Sequence, residues 1–430
     1  MVNKKIKSQL WDNMQFYFRD YNDITMRSAL FFDGEIDEEL LKKALTAVIE
    51  SFPIVKARFK EGFFKSRWTI ADDSSADGFF EMFETSPSEH TAAVEKYIAG
   101  EINPLKTPLF KTAIFRKTED GKKIDCLVFL MSHMLADGDG FALFMKAVAE
   151  AYAAIPANPD YKSRYGMGNR DYKQFYEYLS GDEIKRAKKM TDYRYEKNER
   201  LRLPYKAGYD KSFERKILTR RVDGFDAVKK FCKAHGLTFN DVVLAAYFRA
   251  LKKRLVLKDD ESISIDCVLN LRRYMPAGDA NFCNLVSKVK VNVGREFGDG
   301  FLDTCKIVHE HMAAHKDNLA GLGGLSLLNL MDKAFPFKIG EILIKLFYQN
   351  PLIALSNIGK LDKACAKYGN LKVQNLIMTG TVKYAPSTLL SLITYEDSIF
   401  FALAEACSAE DFEMLDGLIG DVAAAIGELK

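Results

Sequence analysis

The sequence predicts an α/β fold built as two lobes, and three observations carry that prediction. Each half alternates apolar runs of strand length with segments of helical periodicity. At 430 residues the chain exceeds what one ordinary hydrophobic core organises, so two units of about 200 residues are expected. Between the halves, "YKSRYGMGNRDYKQFYEYLSGDEIKRAKKMTDYRYEKNERLRLP" (161–204) is rich in tyrosine and charge and poor in aliphatics, as a crossover would be. The expected organisation is an N-terminal lobe over 1–175, a crossover linker over 176–215 and a C-terminal lobe over 216–430.

In the N-terminal half, Asp37 is placed to cap a helix whose Leu40, Leu41, Ala44, Leu45, Val48 and Ile49 share one face. Pro53 ends that helix, and "IVKARF" follows as a strand. "TPLFKTAIFRKTEDGKKIDCLVFLMSH" reads as two strands joined around Asp120-Gly121. The second strand, Ile124 to Met131, is nearly all apolar and is expected to be buried on both faces, which puts His133 where a central strand ends. "FALFMKAVAEAY", after Gly140, is a helix.

The C-terminal half opens on two helices separated by a Gly236 C-cap, the second started by Thr238 with Asp241 three residues on. "SISIDCVLNLRRY" and "LVSKVKVNV" are strands, followed by a long helical stretch from about Leu302 to Phe347 broken at Gly321–Gly324 and Pro336. "LIALSNIGKL", "VQNLIMTGTV" and "TLLSLITYEDSIFFALAEA" return to strands before a closing helix in "AEDFEMLDGLIGDVAAAIGEL".

Composition narrows the function classes. With 48% hydrophobic and 28% charged residues the chain is globular. Lys+Arg 62 against Asp+Glu 59, interspersed, gives none of the basic asymmetry of a nucleic-acid binder. The basic run Lys185, Arg186, Lys188, Lys189 reads as a solvated helix face. The start "MVNKKIKSQLWDNM" lacks the apolar core of a leader, and no run reaches the ~18 uncharged apolar residues of a membrane span, so a cytoplasmic protein is expected. Seven scattered cysteines without C-x-x-C spacing read as small buried hydrophobes.

The chemistry concentrates in "SHMLADGDG", Ser132 to Gly140. A calcium loop starting at Asp137 would place Ala142 at the glycine position and Val148 at the bidentate glutamate position, which excludes it. No His-x-x-x-His pair includes His133, and His311 and His315, though spaced i, i+4, lie in a polar helical segment; no metal site is expected. A general base and a satisfied core histidine remain. Position favours the base, because the carboxyl end of a buried strand is where α/β proteins place chemistry. Asp137-Gly138 also offers a tight turn, with left-handed φ at Gly138, to fix the histidine's backbone.

"SHMLADG" resembles the H-x-x-x-D-G motif of the chloramphenicol acetyltransferase and condensation-domain superfamily. "LKKALTAVIESFPIVKARF", "TPLFK", "AHGLTFNDVVLAA", "VLNLRRYMP" and "LSNIGKL" resemble its other segments in order across nearly the whole chain. The resemblance implies two acetyltransferase-like lobes in a V-shaped pseudo-dimer, with His133 midway along a central tunnel. It implies acyl transfer without an acyl-enzyme, no permanently bound cofactor, and a donor thioester on coenzyme A or on the phosphopantetheine arm of an acyl or peptidyl carrier protein. The acceptor would be a small molecule with a hydroxyl or amine. By the same resemblance His133 is the general base, Gly138 belongs to the motif, and Ser356 and Asn357 are oxyanion donors. Asn270 and Arg272 bind substrate or support the fold, and Asp137 is structural, with Arg272 as its ion-pair partner and Arg27 and Arg58 as rivals. Ser132 stands where many condensation domains carry the first of two histidines, and no D-F-G-W-G-like motif occurs. The first departure points toward stand-alone alcohol acyltransferase-like members, and the second sets the chain apart from the plant acyltransferase branch. With the sequence ending soon after the closing helix, no fused carrier or adenylation domain is expected. A condensation enzyme using carrier-bound donors and a non-catalytic acyl-CoA or acyl-carrier binder are the alternatives.

Overall fold

The computed structural model describes residues 5–70, 78–106, 108–190, 194–196, 198–276, 281–316 and 319–429, except the side chains of 314–316. Expectations that fall on Thr107, on 191–193 or on the His315 side chain therefore lie outside the described residues. In the N-terminal half the order is β1 (Lys5–Lys7), α1 (Leu10–Tyr17), β2 (Thr25–Phe32), α2 (Glu38–Ser51), β3 (Ala57–Lys60), β4 (Arg67–Ile70), β5 (Phe80–Thr85), α3 (His90–Ile98), β6 (Phe110–Glu119), β7 (Lys122–Ser132) and α4 (Gly138–Ala154). Asp37 caps α2 by accepting from the Leu40 amide, and Asp120 and Gly121 take the positive φ values of 49° and 76° that close the β6–β7 hairpin. One expectation fails beside α2. Pro53–Lys56 forms a 3₁₀ turn and only Ala57–Lys60 is strand, since the turn drives Ile54 and Val55 fully into the core.

After α5 (Gly181–Lys189), whose Lys185, Arg186, Lys188 and Lys189 are exposed, the C-terminal half runs β8 (Arg215–Asp223), α6 (Phe225–Ala234), α7 (Phe239–Lys252), β9 (Ser264–Asn270), β10 (Val286–Asn292), α8 (Phe301–Lys316), α9 (Leu325–Ala334), α10 (Phe337–Phe347), β11 (Ile353–Lys360), β12 (Val373–Thr379), β13 (Lys383–Tyr384), β14 (Thr388–Tyr395), β15 (Ser398–Ala406) and α11 (Ala409–Gly427). Gly236 (φ 67°) ends the turn after α6, and Thr238 with Asp241 forms the capping box of α7. All seven cysteines are buried. Among the described residues no helix is long and apolar enough to cross a membrane.

Two large sheets give the molecule its two lobes. The first has the order β12-β2-β7-β6-β5, with β7 in the middle and its residues Asp125 to Ser132 all buried. The second runs β10-β9-β11-β14-β15-β13, with β8 also paired to β15. β1, β4 and β3 form a small third sheet. The halves are not independent in sequence, because β12 leaves the C-terminal half to pair antiparallel with β2. Its Leu376, Ile377 and Met378 belong to the same apolar core as Val128 and Phe129 of β7.

A buried ion pair secures that exchange. Asp23 and Arg27 are fully buried and directly bonded to each other. Arg27 also donates to the carbonyls of Ile98 (2.6 Å), Gly100 (2.9 Å) and, just past β12, Gly380 (3.1 Å). Removing Arg27 leaves the buried Asp23 carboxylate with only the more distant Arg215 as an ion-pair partner, 3.7 Å away. Arg27→Ala is therefore expected to cost about 3–5 kcal/mol, read as an earlier unfolding midpoint in urea at unchanged slope.

Candidate functional site

β7 ends at Ser132, and the chain turns through His133–Ala136 before α4 begins at Gly138. Asp137 is the N-cap of α4, with its Oδ1 accepting from the Gly140 amide at 3.0 Å. The left-handed turn expected at Gly138 is thereby corrected. Gly138 is not among the positive-φ residues, because the cap makes it the first residue of the helix. Its open side faces Ile358, whose Cγ2 would lie 3.5 Å from a Cβ placed there.

The loop is held from several directions. The His133 amide donates to the Ile24 carbonyl at 2.7 Å, which fastens it to the entry of β2. Arg170 donates to the carbonyls of Leu135 (2.5 Å) and Phe282 (2.6 Å) and pairs with Asp12 at 2.8 Å. From the C-terminal half, Asn284 approaches with both ends of its amide: Oδ1 lies 3.0 Å from His133 Nδ1, and Nδ2 donates to the His133 carbonyl at 2.9 Å. With Nδ2 committed as a donor, Oδ1 is the acceptor. The neutral imidazole therefore carries its proton on Nδ1, and Nε2 keeps the basic lone pair. Burial is the main influence on the ring and holds its pKa below the ordinary histidine value, and the charge of Lys383 acts in the same direction.

Asp137 serves a different purpose. It is 1% exposed, and its Oδ2 receives Arg272 at 2.7 Å and the Leu285 amide at 2.7 Å. Arg272 is thus the partner of Asp137, whereas Arg27 is taken by Asp23 and Arg58 lies on the small sheet in register with Thr69. Asn270 supports Arg272: its Oδ1 accepts the Arg272 amide at 2.9 Å, and its amide group bonds Asp139.

His133 opens onto a cavity of about 590 Å³ between the halves, within the usual range for small-molecule sites. One arm is apolar, formed by Trp11 and Phe18 with Leu325, Leu328 and Met331 of α9 and Leu343 and Ile344 of α10. The other wall is polar. Lys383 lies there, bonded at 2.9 Å to Asn22, and burial pulls its pKa down to about 8. Asp266 and Lys288, 3.1 Å apart, also line the cavity. Ser356 of β11 also lines the cavity. Asn357 does not: its side-chain amide donates to Asn240 at 2.6 Å and accepts from the Gly359 amide at 2.9 Å, at a bulge where Gly359 takes φ 92°. Of the residues singled out in the sequence, the structure brings His133, Asp137, Gly138 and Ser356 to the cavity and keeps Asn270 and Arg272 behind it as support. Asn284, Lys383, Asn22 and Asp266 were missed, since each lies in an unremarkable segment far along the chain from the motif.

The family model of the condensation domain matches residues 9–266. A comparison with curated protein sequences finds no match. Among solved structures, the first condensation domain of the calcium-dependent antibiotic synthetase, bound to a substrate analogue, is 13% identical at TM-score 0.69, covering 99% of this chain and 97% of that one. Polyketide synthase associated protein 5 from Mycobacterium tuberculosis is 14% identical at TM-score 0.66, covering 99% and 98%. The TRI3 trichothecene 15-O-acetyltransferase from Fusarium sporotrichioides is 12% identical at TM-score 0.68, covering 98% and 95%. At these identities the likeness speaks for the fold.

The Asp137–Arg272 geometry generates a double-mutant test. Asp137→Ala and Arg272→Ala should each destabilise by about 3–5 kcal/mol, because each takes the nearest partner from a buried charge, leaving Arg272 only the more distant Asp139 at 3.7 Å and Asp137 only backbone amides. The double variant should be no less stable than the worse single one, and additive losses in urea unfolding would contradict the pairing.

Proposed function

The chain belongs to the condensation-domain family, and from that premise we propose that it moves an acyl group from a coenzyme A or carrier-protein thioester to a hydroxyl or amine, with His133 as general base. The observation that carries the proposal is the arrangement around His133. Asn284 holds the proton on Nδ1, so Nε2 is the nitrogen left to serve a substrate in a cavity with one apolar arm and one polar wall. An acyl chain suits the apolar arm, and the acceptor suits the polar wall. Their reacting atoms would meet beside the histidine.

His133 Nε2 takes the proton from the acceptor as its oxygen or nitrogen attacks the thioester carbonyl carbon. The negative charge that develops on the carbonyl oxygen is met by the Ser356 hydroxyl, the cavity-lining survivor of the two donors expected from sequence. Collapse of the tetrahedral intermediate breaks the carbon–sulfur bond. The thiolate leaves with the proton returned from His133, giving an ester or amide and a free thiol. No acyl-enzyme forms. Asp137 takes no part in proton transfer, because its carboxylate is occupied by Arg272 and two backbone amides.

A second reading, amide-bond condensation confined to carrier-bound donors, draws on the family match itself. Thiol release from acyl-CoA thioesters and from acylated carrier protein, offered alcohols and amines in turn, separates the two readings. Release from neither donor would leave a non-catalytic binder.

His133→Ala is expected to lower the rate of thiol release by about 10²- to 10⁴-fold while the melting temperature holds, and near-parent turnover would remove His133 from the mechanism. Ser356→Ala should lose less. The pH profile gives an independent check. Because burial depresses the His133 pKa, the ring stays a neutral base to lower pH than an exposed histidine. The acid limb of kcat/KM should accordingly fall below about pH 6.5. Lys383→Met removes a neighbouring positive charge and should move that limb to higher pH; a limb that moves down or stays in place would mean Lys383 does not act on the base.

A further inference from the structure

The exposed apolar side chains of the protein are concentrated rather than scattered. Of the twelve large hydrophobic residues that stand exposed among the described residues, six lie on α9, α10 and the turn between them: Leu327, Leu330, Phe335, Ile342, Leu346 and Phe347. Two more, Phe63 and Phe64, belong to the loop between β3 and β4, whose carbonyls accept from the first amides of α10: Phe64 from Phe337 at 3.0 Å and Phe63 from Lys338 at 3.1 Å. The loop and the hairpin thus form one apolar face. Leu346 and Phe347 are 69% and 72% exposed and Phe64 is 72% exposed, far beyond what a helix at rest in water needs to show.

Two further observations say what covers this face. The first is continuity with the cavity. Leu327 and Phe347 are exposed and also line the cavity, so its apolar arm opens directly into the patch. The second is charge. β1, the segment 60–67 and the segment 325–347 together hold eight lysines and arginines against three acidic residues, in a chain whose totals are 62 and 59; Lys338 is paired with Glu61 and Glu341 and Lys345 with Asp20, so the excess rests on the other six. Lys333 stands beside Lys173 and, with burial, depresses the Lys173 pKa; Asp171 opposes the shift and Lys7 adds to it, and the lysines prevail.

We propose that the α9–α10 hairpin, with the Phe63–Phe64 loop, docks on a lipid surface bearing anionic headgroups, so that a lipophilic substrate passes from the lipid into the apolar arm without crossing water. An apolar ridge bordered by lysines is the composition of an interfacial helix that lies in the headgroup plane, and electrostatic attraction to anionic lipid adds to apolar burial. No spanning segment is needed. The inference is independent of the reaction: His133→Ala should bind lipid like the parent chain.

Co-sedimentation with vesicles of phosphatidylcholine alone, and of phosphatidylcholine mixed with phosphatidylglycerol, tests it. The parent chain should bind the mixed vesicles at least about tenfold more strongly, with the difference lost in high salt. The combined variant Phe64→Ser, Ile342→Ser and Leu346→Ser, none of which lines the cavity, should lose binding to both vesicles while keeping its near-ultraviolet dichroism. Lys173→Glu with Lys333→Glu should lose only the preference for anionic lipid, and it decides the matter should the triple variant fail to fold. Absence of binding by the parent, or equal binding by folded variants, overturns the proposal. So does a parent dimer that the triple variant dissolves, since a second copy would then be the occupant.

Discussion

A single buried carboxylate organises the centre of this molecule. Asp137 is almost wholly buried, and its charge is met by the Arg272 guanidinium, the Leu285 amide and the amide of Gly140. The first two come from the C-terminal half and the third starts α4, so the same two oxygens cap a helix and join the lobes. A buried ion of this kind is a poor source of net stability but a strong source of geometry, because any arrangement that separates the charges is costly. His133, four residues upstream, inherits that geometry through a short loop with little freedom of its own.

The site divides its polar groups by task. The aspartate of the motif is saturated and therefore chemically quiet, whereas the histidine has one nitrogen engaged and one left over. Asn284 settles which nitrogen that is, acting from the opposite half on both the ring and its backbone. Burial and the nearby Lys383 ammonium both disfavour the imidazolium, which favours the neutral ring. Asn284 and Lys383 act from the C-terminal half, while Asp137, from the same half as the ring, pulls its pKa up.

Much of the fold was legible where local physics leaves little choice. The hydrophobic face of α2 with its Asp37 cap, the capping box of α7, the Asp120-Gly121 hairpin and the doubly buried run of β7 follow from periodicity and turn chemistry alone. The pairing of Asp137 with Arg272 came from the resemblance of two separate segments to one family pattern. Other features had no local signal. Pro53 ends α2 as expected, but whether Ile54 and Val55 continue as strand or fold into a turn depends on the core they enter. Gly138 followed an aspartate, a pattern shared by left-handed turns and helix starts; the Gly140 amide donating to Asp137 selects the helix.

By itself the sequence determined the class of the fold, the order of its elements and the position of the histidine at a strand end, because each depends on neighbours within a few residues. Tertiary structure decided which strands share a sheet, sending β12 across to β2, and which distant groups surround His133. Asn284 lies 151 residues from His133, and Lys383 and Asn22 are joined across 361. Asn357 and Ser356 are adjacent in sequence, yet only Ser356 lines the cavity, while the Asn357 amide bonds Asn240 and Gly359 at the bulge. Contacts of such separation are set by packing of the whole chain, for which no short pattern of residues carries a code.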